Sequence, residues 1–388
     1  FSIISLFSVN AGNNQFIDFA TKGTQLVLAL LFFYCVSSLA LSEKDFKGIF
    51  RFWIIVATLV SIFAIYQVFA FSFNWPYASL SFNNPSVTNQ GGEARFIQGF
   101  GQVSSVFREP SYLGAYLLAP IIIVGIFLLR GQGDQILFRS STLNWSILAV
   151  LFAAFMLTSS QAAYLSLVVT VASMFTINKV GRWRVLRLII YMLFLALIGG
   201  LVLSLFNIDF IGATIYRFNY LIINMMHPNT TLEVTSYRVR TECMNVAFQV
   251  WEKSPIIGVG LNNMSYYTTV CEFSLGWSQL LVDQGVIGVI LMLMIFIMFI
   301  RELYWLSTDA KLSPFWSILC IAMIFVLVSD VVNGFFTYNW VDLQRWFNLA
   351  LANLLIIHVR FRIEHISLLS LQNNRLSSQS LLTEKGLL

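Results

Sequence analysis

Six arginines and one lysine stand in polar segments between long apolar runs or at the start of such a run, where they could bind an anion: Arg95, Arg108, Arg217, Arg238, Arg240, Lys253 and Arg345. The planar guanidinium fork binds phosphate oxygens in pairs. If the apolar runs cross a bilayer, such a set could hold a lipid pyrophosphate and stabilise it as a leaving group. The alternative interpretation is that each arginine snorkels to the interface or pairs with Glu93, Glu233 or Glu252.

Seven carboxylates stand in these segments or within the adjoining apolar runs, at the same depth as the basic residues: Glu109, Asp209, Glu242, Glu272, Asp283, Asp330 and Asp342. Glu109 precedes Pro110 and Ser111, which open a helix, so it could cap that helix or orient a sugar hydroxyl. Glu272 stands just before an apolar run and is free to reach a substrate. Asp283 stands inside the same run, where an ionised carboxylate is costly. We expect Asp283 to be paired or protonated and to support the adjoining loop.

Metal and cofactor motifs are absent from the sequence. It has only three histidines, no C-x-x-C and no H-E-x-x-H, so we expect no metal site and no cofactor. Cys243 and Cys271 stand in one polar segment and could form a disulfide in an oxidising compartment. Cys35 and Cys320 fall within apolar runs, where they should pack as small apolar side chains.

The composition excludes soluble globular, disordered and disulfide-scaffold proteins, because 58% of residues are hydrophobic and only 11% are charged, against about 25% in soluble domains. A helix needs about 20 mostly apolar residues to span a bilayer. Residues 1–9 are apolar but too short, and we expect them to be the remnant of a further helix. The sequence predicts an all-α polytopic membrane protein with nine or more transmembrane helices, at residues 24–41, 50–72, 111–129, 143–158, 160–177, 187–206, 277–300, 314–333 and 344–359.

The distribution of basic residues predicts the orientation. Fifteen of the 23 lysines and arginines fall in one set of loops, which the positive-inside rule assigns to the cytoplasm. The other set holds the long segments 73–110 and 207–276, which then face outward and carry the active surface. The predicted units are helices 1–206 with loop 73–110, the periplasmic loop 207–276, helices 277–359 and a cytoplasmic tail 360–388.

Three segments together resemble the O-antigen polymerase and ligase superfamily of bacterial envelope glycosyltransferases: residues 107–124, 236–263 and 276–292. In that pattern an arginine begins a periplasmic helix and a tryptophan follows, here Arg240 and Trp251. A P-I-I-G-V-G-L-N turn comes next, here 255–262. The pattern ends with a helix that opens L-L-V-D-Q-G-V-I-G, here 280–288.

The resemblance implies transfer of a glycan from an undecaprenyl-pyrophosphate donor at the outer face of the inner membrane. Its periplasmic arginines map onto Arg217, Arg238 and Arg240, and we add Arg108 as a neighbour. It implies a lipid-linked glycan donor and acceptor, no nucleotide sugar and no nucleic acid. A membrane co-polymerase that regulates chain length is the expected protein partner.

Two departures from the pattern bear on the acceptor. Ligases of the family carry a histidine where this chain has Ser274, and Gln161 stands where the family often has arginine. We therefore expect a polymerase that joins lipid-linked repeat units, with Glu272 as the general base and Glu109 or His227 as alternatives. An O-antigen ligase is the first alternative. A transporter of the lipid-linked unit is the second, although a transporter should carry charges near the bilayer midplane.

Overall fold

A computed structural model describes residues 13–78, 96–97, 100–107, 109–177, 180–216, 219, 236–267, 276–335 and 342–385. Most of these residues are helical, which confirms the predicted fold class. The strands found among the described residues are β1 (Phe96–Ile97) and β2 (Phe100–Gly101), which pair antiparallel with Phe96 opposite Gly101.

The helices are α1 (Asn13–Ser37), α2 (Glu43–Phe73), α3 (Pro110–Leu129), α4 (Gly133–Ile136), α5 (Ser141–Leu157), α6 (Gln161–Ile177), α7 (Arg182–Leu205), α8 (Ser236–Trp251), α9 (Met264–Tyr267), α10 (Gly276–Ser307), α11 (Pro314–Asn333) and α12 (Leu343–Lys385). Among the described residues, seven helices are long and apolar enough to cross a membrane: α1, α2, α3, α7, α10, α11 and α12. The apolar helices α5 and α6 have 17 residues each. Each of the nine predicted spans corresponds to one of these nine helices.

Local sequence explains several of the helix starts. Ser42 and Asp45 form a capping box at α2, in which the Ser42 side chain accepts from the Asp45 backbone N–H and the Asp45 carboxylate accepts from the Ser42 N–H. Ser140 caps α5 through its side chain. Pro110 and Pro314 stand in the first turns of α3 and α11. The missing N–H of proline costs no hydrogen bond there, because the first N–H groups of a helix have no acceptor within the helix.

The core of the bundle is built around α3 and α11, which pack on each other and each bury 78% of their most apolar stretch. In contrast, α1 buries 11% of its span, and α7 and α10 each bury 22%. These outer helices expose large apolar side chains such as Leu31, Leu193 and Ile297. Such a surface is stable only against lipid or another apolar surface.

The alternation of the helices gives the bundle two ends. We call the end at which α2, α7 and α11 finish and α3, α10 and α12 begin the loop end. The opposite end, at residues 38–51, 130–140, 180–187, 301–313 and 358–368, is the basic end. On its α2–α12 side, Glu43 forms ion pairs with Lys47 (2.9 Å) and Arg362 (3.0 Å), and Glu302 pairs with Arg301 and Arg360. Which end faces the periplasm stays a prediction.

Candidate functional site

Helix α10 is broken at Gly285, which has φ +63° and ψ −166°. At the break, backbone N–H and C=O groups of α10 lose their hydrogen-bond partners within the helix. Backbone groups of the loop 255–260 take the place of those partners. The backbone N–H groups of Val259 and Gly260 donate to the carbonyls of Val282 (2.8 Å) and Asp283 (3.2 Å). Those of Val286 and Ile287 donate to Pro255 (3.0 Å) and Ile256 (3.3 Å). The glycine-rich turn and the broken helix are therefore one structural unit.

Two glycines permit this close docking. A Cβ at Gly285 would stand 2.3 Å from the Ile256 carbonyl oxygen, and a Cβ at Gly258 would stand 2.4 Å from the Gln284 nitrogen. The 22 residues of α10 after the break span about 33 Å, which is enough to cross a bilayer alone. The short piece 276–284 therefore belongs to the loop end, and Asp283 lies there rather than deep in the membrane.

Asp283 supports the loop, as the sequence predicts. Its carboxylate is fully buried and accepts a hydrogen bond from the backbone N–H of Asn262 at 3.0 Å. The next residue, Asn263, donates from its side chain to the Val259 carbonyl at 2.8 Å. The first contact holds the turn against α10, and the second closes the turn on itself.

Helix α8 lies on this unit and carries the arginines of the predicted pyrophosphate site. Ala247 and Val250 pack against Val259 of the loop and Val282 of α10, and the Trp251 indole N–H donates to the Pro255 carbonyl at 2.9 Å. The apolar residues Val239, Cys243, Val246 and Val250 stand at helical spacing, which predicts a helix over 237–252, and the structure confirms it within one residue at each end. Arg238 and Arg240 stand in its first five residues, but their side chains lie outside the described set.

Cys243, on the buried face of α8, is disulfide-bonded. Cys35 and Cys320 are free thiols, as expected for residues within spans. The predicted partner of Cys243, Cys271, lies outside the described residues.

A second group of polar side chains is buried where α10, α11 and α12 meet at the loop end. The Asn348 amide donates to the Asp330 carboxylate at 2.8 Å, and Arg345 is fully buried near Asp330, with which it interacts electrostatically. The Arg345 guanidinium carbon lies 5.7 Å from the centre of the Trp277 ring. We call Trp277, Asp330, Arg345 and Asn348 the buried polar cluster.

Backbone contacts fix the buried polar cluster in place. The Trp277 indole N–H donates to the Val331 carbonyl (2.7 Å), and its backbone N–H donates to the Gly334 carbonyl (2.9 Å). A Cβ at Gly334 would stand 2.6 Å from an Arg345 nitrogen, so only glycine leaves room for the guanidinium. Nearby, the Ser166 hydroxyl of α6 donates to Asn333 at 2.7 Å.

Lys22 of α1 lies near both the broken part of α10 and the start of α12. It lies close enough to Asp283 and Asp342 to interact with both. Asp342 accepts from the Gln344 backbone N–H at 2.9 Å, and burial raises the pKa of its carboxyl above the ordinary value. Two cations and three carboxylates of the loop end therefore form one set of interacting charges: Lys22, Arg345, Asp283, Asp330 and Asp342.

Glu109 occupies the N-cap position of α3, where its backbone carbonyl accepts from the Tyr112 N–H at 3.1 Å. The side chain makes no capping hydrogen bond. Glu109 therefore caps α3 through its backbone carbonyl and not through its carboxylate. The partly exposed carboxylate instead accepts from the Ser111 hydroxyl at 3.2 Å. It keeps capacity to bind a further donor.

The segment before Glu109 is anchored inside the bundle. The Ser105 backbone and the Gln67 side chain exchange two hydrogen bonds, of 2.7 and 3.3 Å, and the Gln102 amide donates to the carbonyls of Thr158 and Ser159. These contacts hold residues 102–107 between α2 and the α5–α6 turn. Gln161, the departure from the family pattern, begins α6 directly after that turn.

The other predicted site residues lie outside the described residues: Glu272, Arg108 and Arg217, and the alternative base His227. The expected absence of a metal site stays a prediction, although the described residues hold no group of three or more metal-ligating side chains. The sequence predicts that Asp330 and Arg345 lie on the outer side but does not predict that they interact. Each of them is a charged residue just inside one end of an apolar run, and two opposite charges in such positions could have indicated a pair.

Residues 146–293 match the family model described as O-antigen ligase. None of the curated proteins matches the chain. The matched region comprises 148 of the 388 residues and contains helix α8, the glycine-rich turn and the break in α10. The resemblance of the chain to the O-antigen polymerase and ligase superfamily is thereby confirmed over its central part.

Proposed function

We propose that this protein is a polymerase that joins undecaprenyl-pyrophosphate-linked oligosaccharide repeat units of O-antigen or a related surface polysaccharide. The loop end would face the periplasm across the bacterial inner membrane. The observation that carries the proposal is the family match over the unit formed by α8, the turn 255–260 and the broken helix α10. This unit presents the start of α8, with Arg238 and Arg240, at one end of the bundle.

The distribution of charge supports a surface enzyme over a transporter. In the described helices, no Asp, Glu, Lys or Arg stands within 52–73, 110–129, 141–157, 161–177, 188–205, 286–300 or 314–329. A carrier that moves a pyrophosphate through the bilayer needs polar groups or broken helices near the midplane. Here the break in α10 lies toward the loop end, and the charges gather at the two ends of the bundle.

In the proposed reaction, a hydroxyl of one lipid-linked repeat attacks the anomeric carbon of the sugar that is linked to the pyrophosphate of another. The new glycosidic bond forms as the bond from carbon to phosphate oxygen breaks, and undecaprenyl pyrophosphate leaves. Arg238, Arg240, Arg217 and Arg108 would bind the departing pyrophosphate through paired hydrogen bonds. Because these cations would neutralise the leaving group, the reaction should not require a metal ion and should continue in the presence of a chelator.

A general base would take the hydroxyl proton and contribute about 100- to 10,000-fold to the rate. Glu272 is the proposed base, because it precedes α10 at the loop end. Glu109 is the alternative, because its partly exposed carboxylate accepts a hydrogen bond from the Ser111 hydroxyl and keeps capacity for a further donor. The buried polar cluster would act indirectly by fixing the ends of α11 and α12 beneath these loops.

The first experiment replaces Arg240 with lysine in protein reconstituted with a lipid-linked repeat unit. Lysine keeps the charge but cannot bind two phosphate oxygens through a planar fork, so polymer formation should fall at least tenfold. Arg301→Lys, at the basic end, is the matched control and should leave the rate within twofold. Normal polymer from lysine variants at Arg217, Arg238 and Arg240 alike would refute the pyrophosphate site.

A ligase that transfers the finished glycan to lipid A-core is the second candidate, because the matching family model is described as O-antigen ligase. The serine at 274 favours the polymerase, since a serine hydroxyl does not accept a proton at neutral pH as imidazole does. Deletion of a polymerase leaves a single repeat unit on the core, attached by a separate ligase. Deletion of a ligase leaves bare core while long lipid-linked polymer accumulates.

A further inference from the structure

The positive charge of the chain is concentrated in one part of the sequence. Between residues 110 and 208 there are six basic residues and one acidic residue, Asp134. Their difference, +5, equals the formal net charge of the entire chain. The remaining residues therefore hold equal numbers of acidic and basic side chains, 17 of each.

The fold brings this charge to one side of the basic end. Arg130 follows α3, Arg139 precedes α5, and Arg182, Arg184 and Arg187 lie in the first turns of α7. We call these five arginines the arginine sector. The sixth basic residue, Lys179, lies outside the described residues. Helices α3 and α5 both pack against α7, so the arginines are brought together by the contacts between these helices.

The arginine sector differs from the opposite side of the same end. There, Lys47 and Arg362 pair with Glu43, and Arg301 and Arg360 pair with Glu302. In the arginine sector, Arg139, Arg182, Arg184 and Arg187 are exposed and form no ion pair with any described residue. Arg130 is half-buried, and its pKa is lowered by burial and by repulsion from Arg184.

The surface next to the arginines is apolar. Trp183 is 77% exposed at the start of α7, as is typical of an indole at a membrane interface. Farther along the same helix, Leu186, Ile190 and Leu193 are exposed. An anion bound by the arginines would therefore lie directly above a face suited to acyl chains. A soluble anion would use the arginines but not this face.

We propose that the arginine sector binds the headgroup of an anionic phospholipid, with the acyl chains lying along the exposed face of α7. The phosphate neutralises the four exposed guanidinium groups, which form no ion pair with a described residue. Basic pockets between transmembrane helices bind anionic headgroups in this way, and a basic residue near the surface adds about 1 kcal/mol, or about fivefold in affinity.

The bound lipid would also hold α7 in place. This helix buries only Val185, Leu188, Met192, Gly200 and Leu203 against the bundle, and its far end leads into the segment that contains Arg217. If the proposed polymerase function is correct, polymer formation should therefore depend on anionic lipid. That consequence rests on the proposed function, whereas lipid binding itself does not.

Native mass spectrometry of delipidated protein, titrated separately with phosphatidylglycerol and phosphatidylethanolamine, tests the proposal. Wild-type protein should bind phosphatidylglycerol at least tenfold more tightly than the zwitterionic lipid. The triple variant Arg182→Gln/Arg184→Gln/Arg187→Gln should lose at least tenfold in affinity for phosphatidylglycerol and keep its affinity for phosphatidylethanolamine. The control Arg301→Gln/Arg360→Gln removes two arginines that already have a carboxylate partner, and should change neither affinity by more than twofold.

Two results would overturn the proposal: equal affinity of the wild-type protein for the two lipids, or unchanged phosphatidylglycerol binding by the triple variant. Competition with inorganic phosphate distinguishes a site for free anions from a site for lipid. If phosphate at millimolar concentration displaces the lipid completely, the site recognises phosphate alone and the lipid assignment is wrong.

If the triple variant does not fold, a salt titration of the wild-type protein still tests the proposal. Phosphatidylglycerol binding should weaken as the salt concentration rises, and binding that does not weaken would exclude a headgroup contact with arginine.

Discussion

Replacement of Gly285 by alanine should separate the glycine-rich turn from α10. The backbone at Gly285 has φ +63° and ψ −166°, a region that costs other residues about 1–3 kcal/mol. The new Cβ would also stand 2.3 Å from the Ile256 carbonyl oxygen. This neighbour is backbone and cannot rotate away, so the turn has to move.

Movement of the turn would weaken the four backbone hydrogen bonds that join it to α10, each of which contributes about 0.5–1.5 kcal/mol. Loss of two of them together with the backbone strain costs about 4 kcal/mol, which corresponds to a shift of about 1000-fold in the local docking equilibrium. Hydrogen exchange at the amides of Val259, Gly260, Val286 and Ile287 should accelerate by about two to three orders of magnitude. Amides in the centre of α11 should keep their protection, because the change is local.

Gly199→Ala is the matched control. Gly199 stands inside helix α7, and a Cβ at this position would meet no atom within 4 Å. That variant should exchange like the wild-type protein. If Gly285→Ala also keeps wild-type protection at all four amides, the glycine contact does not maintain the break in α10.

Three further predictions concern other parts of the chain. Peptide mass analysis of unreduced protein should show Cys243 linked to Cys271, and two alkylated thiols at these positions would disprove the link. Introduced cysteines within 73–110 and 207–276 should react with an impermeant maleimide on whole cells, whereas those within 130–142 and 178–186 should not, and the reverse pattern would mean the opposite orientation. Asn348→Leu should destabilise the detergent-solubilised protein by about 1–3 kcal/mol in thermal unfolding, because the buried Asp330 carboxylate loses its amide donor. An unchanged melting temperature would show that this hydrogen bond does not contribute to stability.

Sequence reasoning predicted the helices well because each span needs only a local run of about 20 apolar residues. The predicted 111–129 and 314–333 differ from α3 and α11 by at most one residue. The same reasoning predicted 277–300 as a continuous helix and did not detect the break at Gly285. That break depends on contact with residues 255–260, which are distant from Gly285 in the sequence. A single glycine in an apolar run does not indicate such a contact.

The candidate site was predicted less completely for the same physical reason. The structure joins Asp330, Asn348 and Arg345 by packing α11 against α12, and pairing between helices is not encoded in the periodicity of either helix. The supporting role of Asp283 was predicted correctly, because the free-energy cost of an unpaired carboxylate inside an apolar run follows from its sequence position alone. Glu272 and the arginines Arg108 and Arg217 lie outside the described residues, so their roles stay predictions.

Helix α12 has a consequence for imaging this protein. Its apolar span ends at His365, yet the helix continues to Lys385, which extends it by about 30 Å at a rise of 1.5 Å per residue. A helical bundle fused in frame at Lys385 would continue this helix without a flexible joint. A small membrane protein of 44.1 kDa would thereby gain a rigid feature outside the detergent belt. Particle images could then be aligned on that feature.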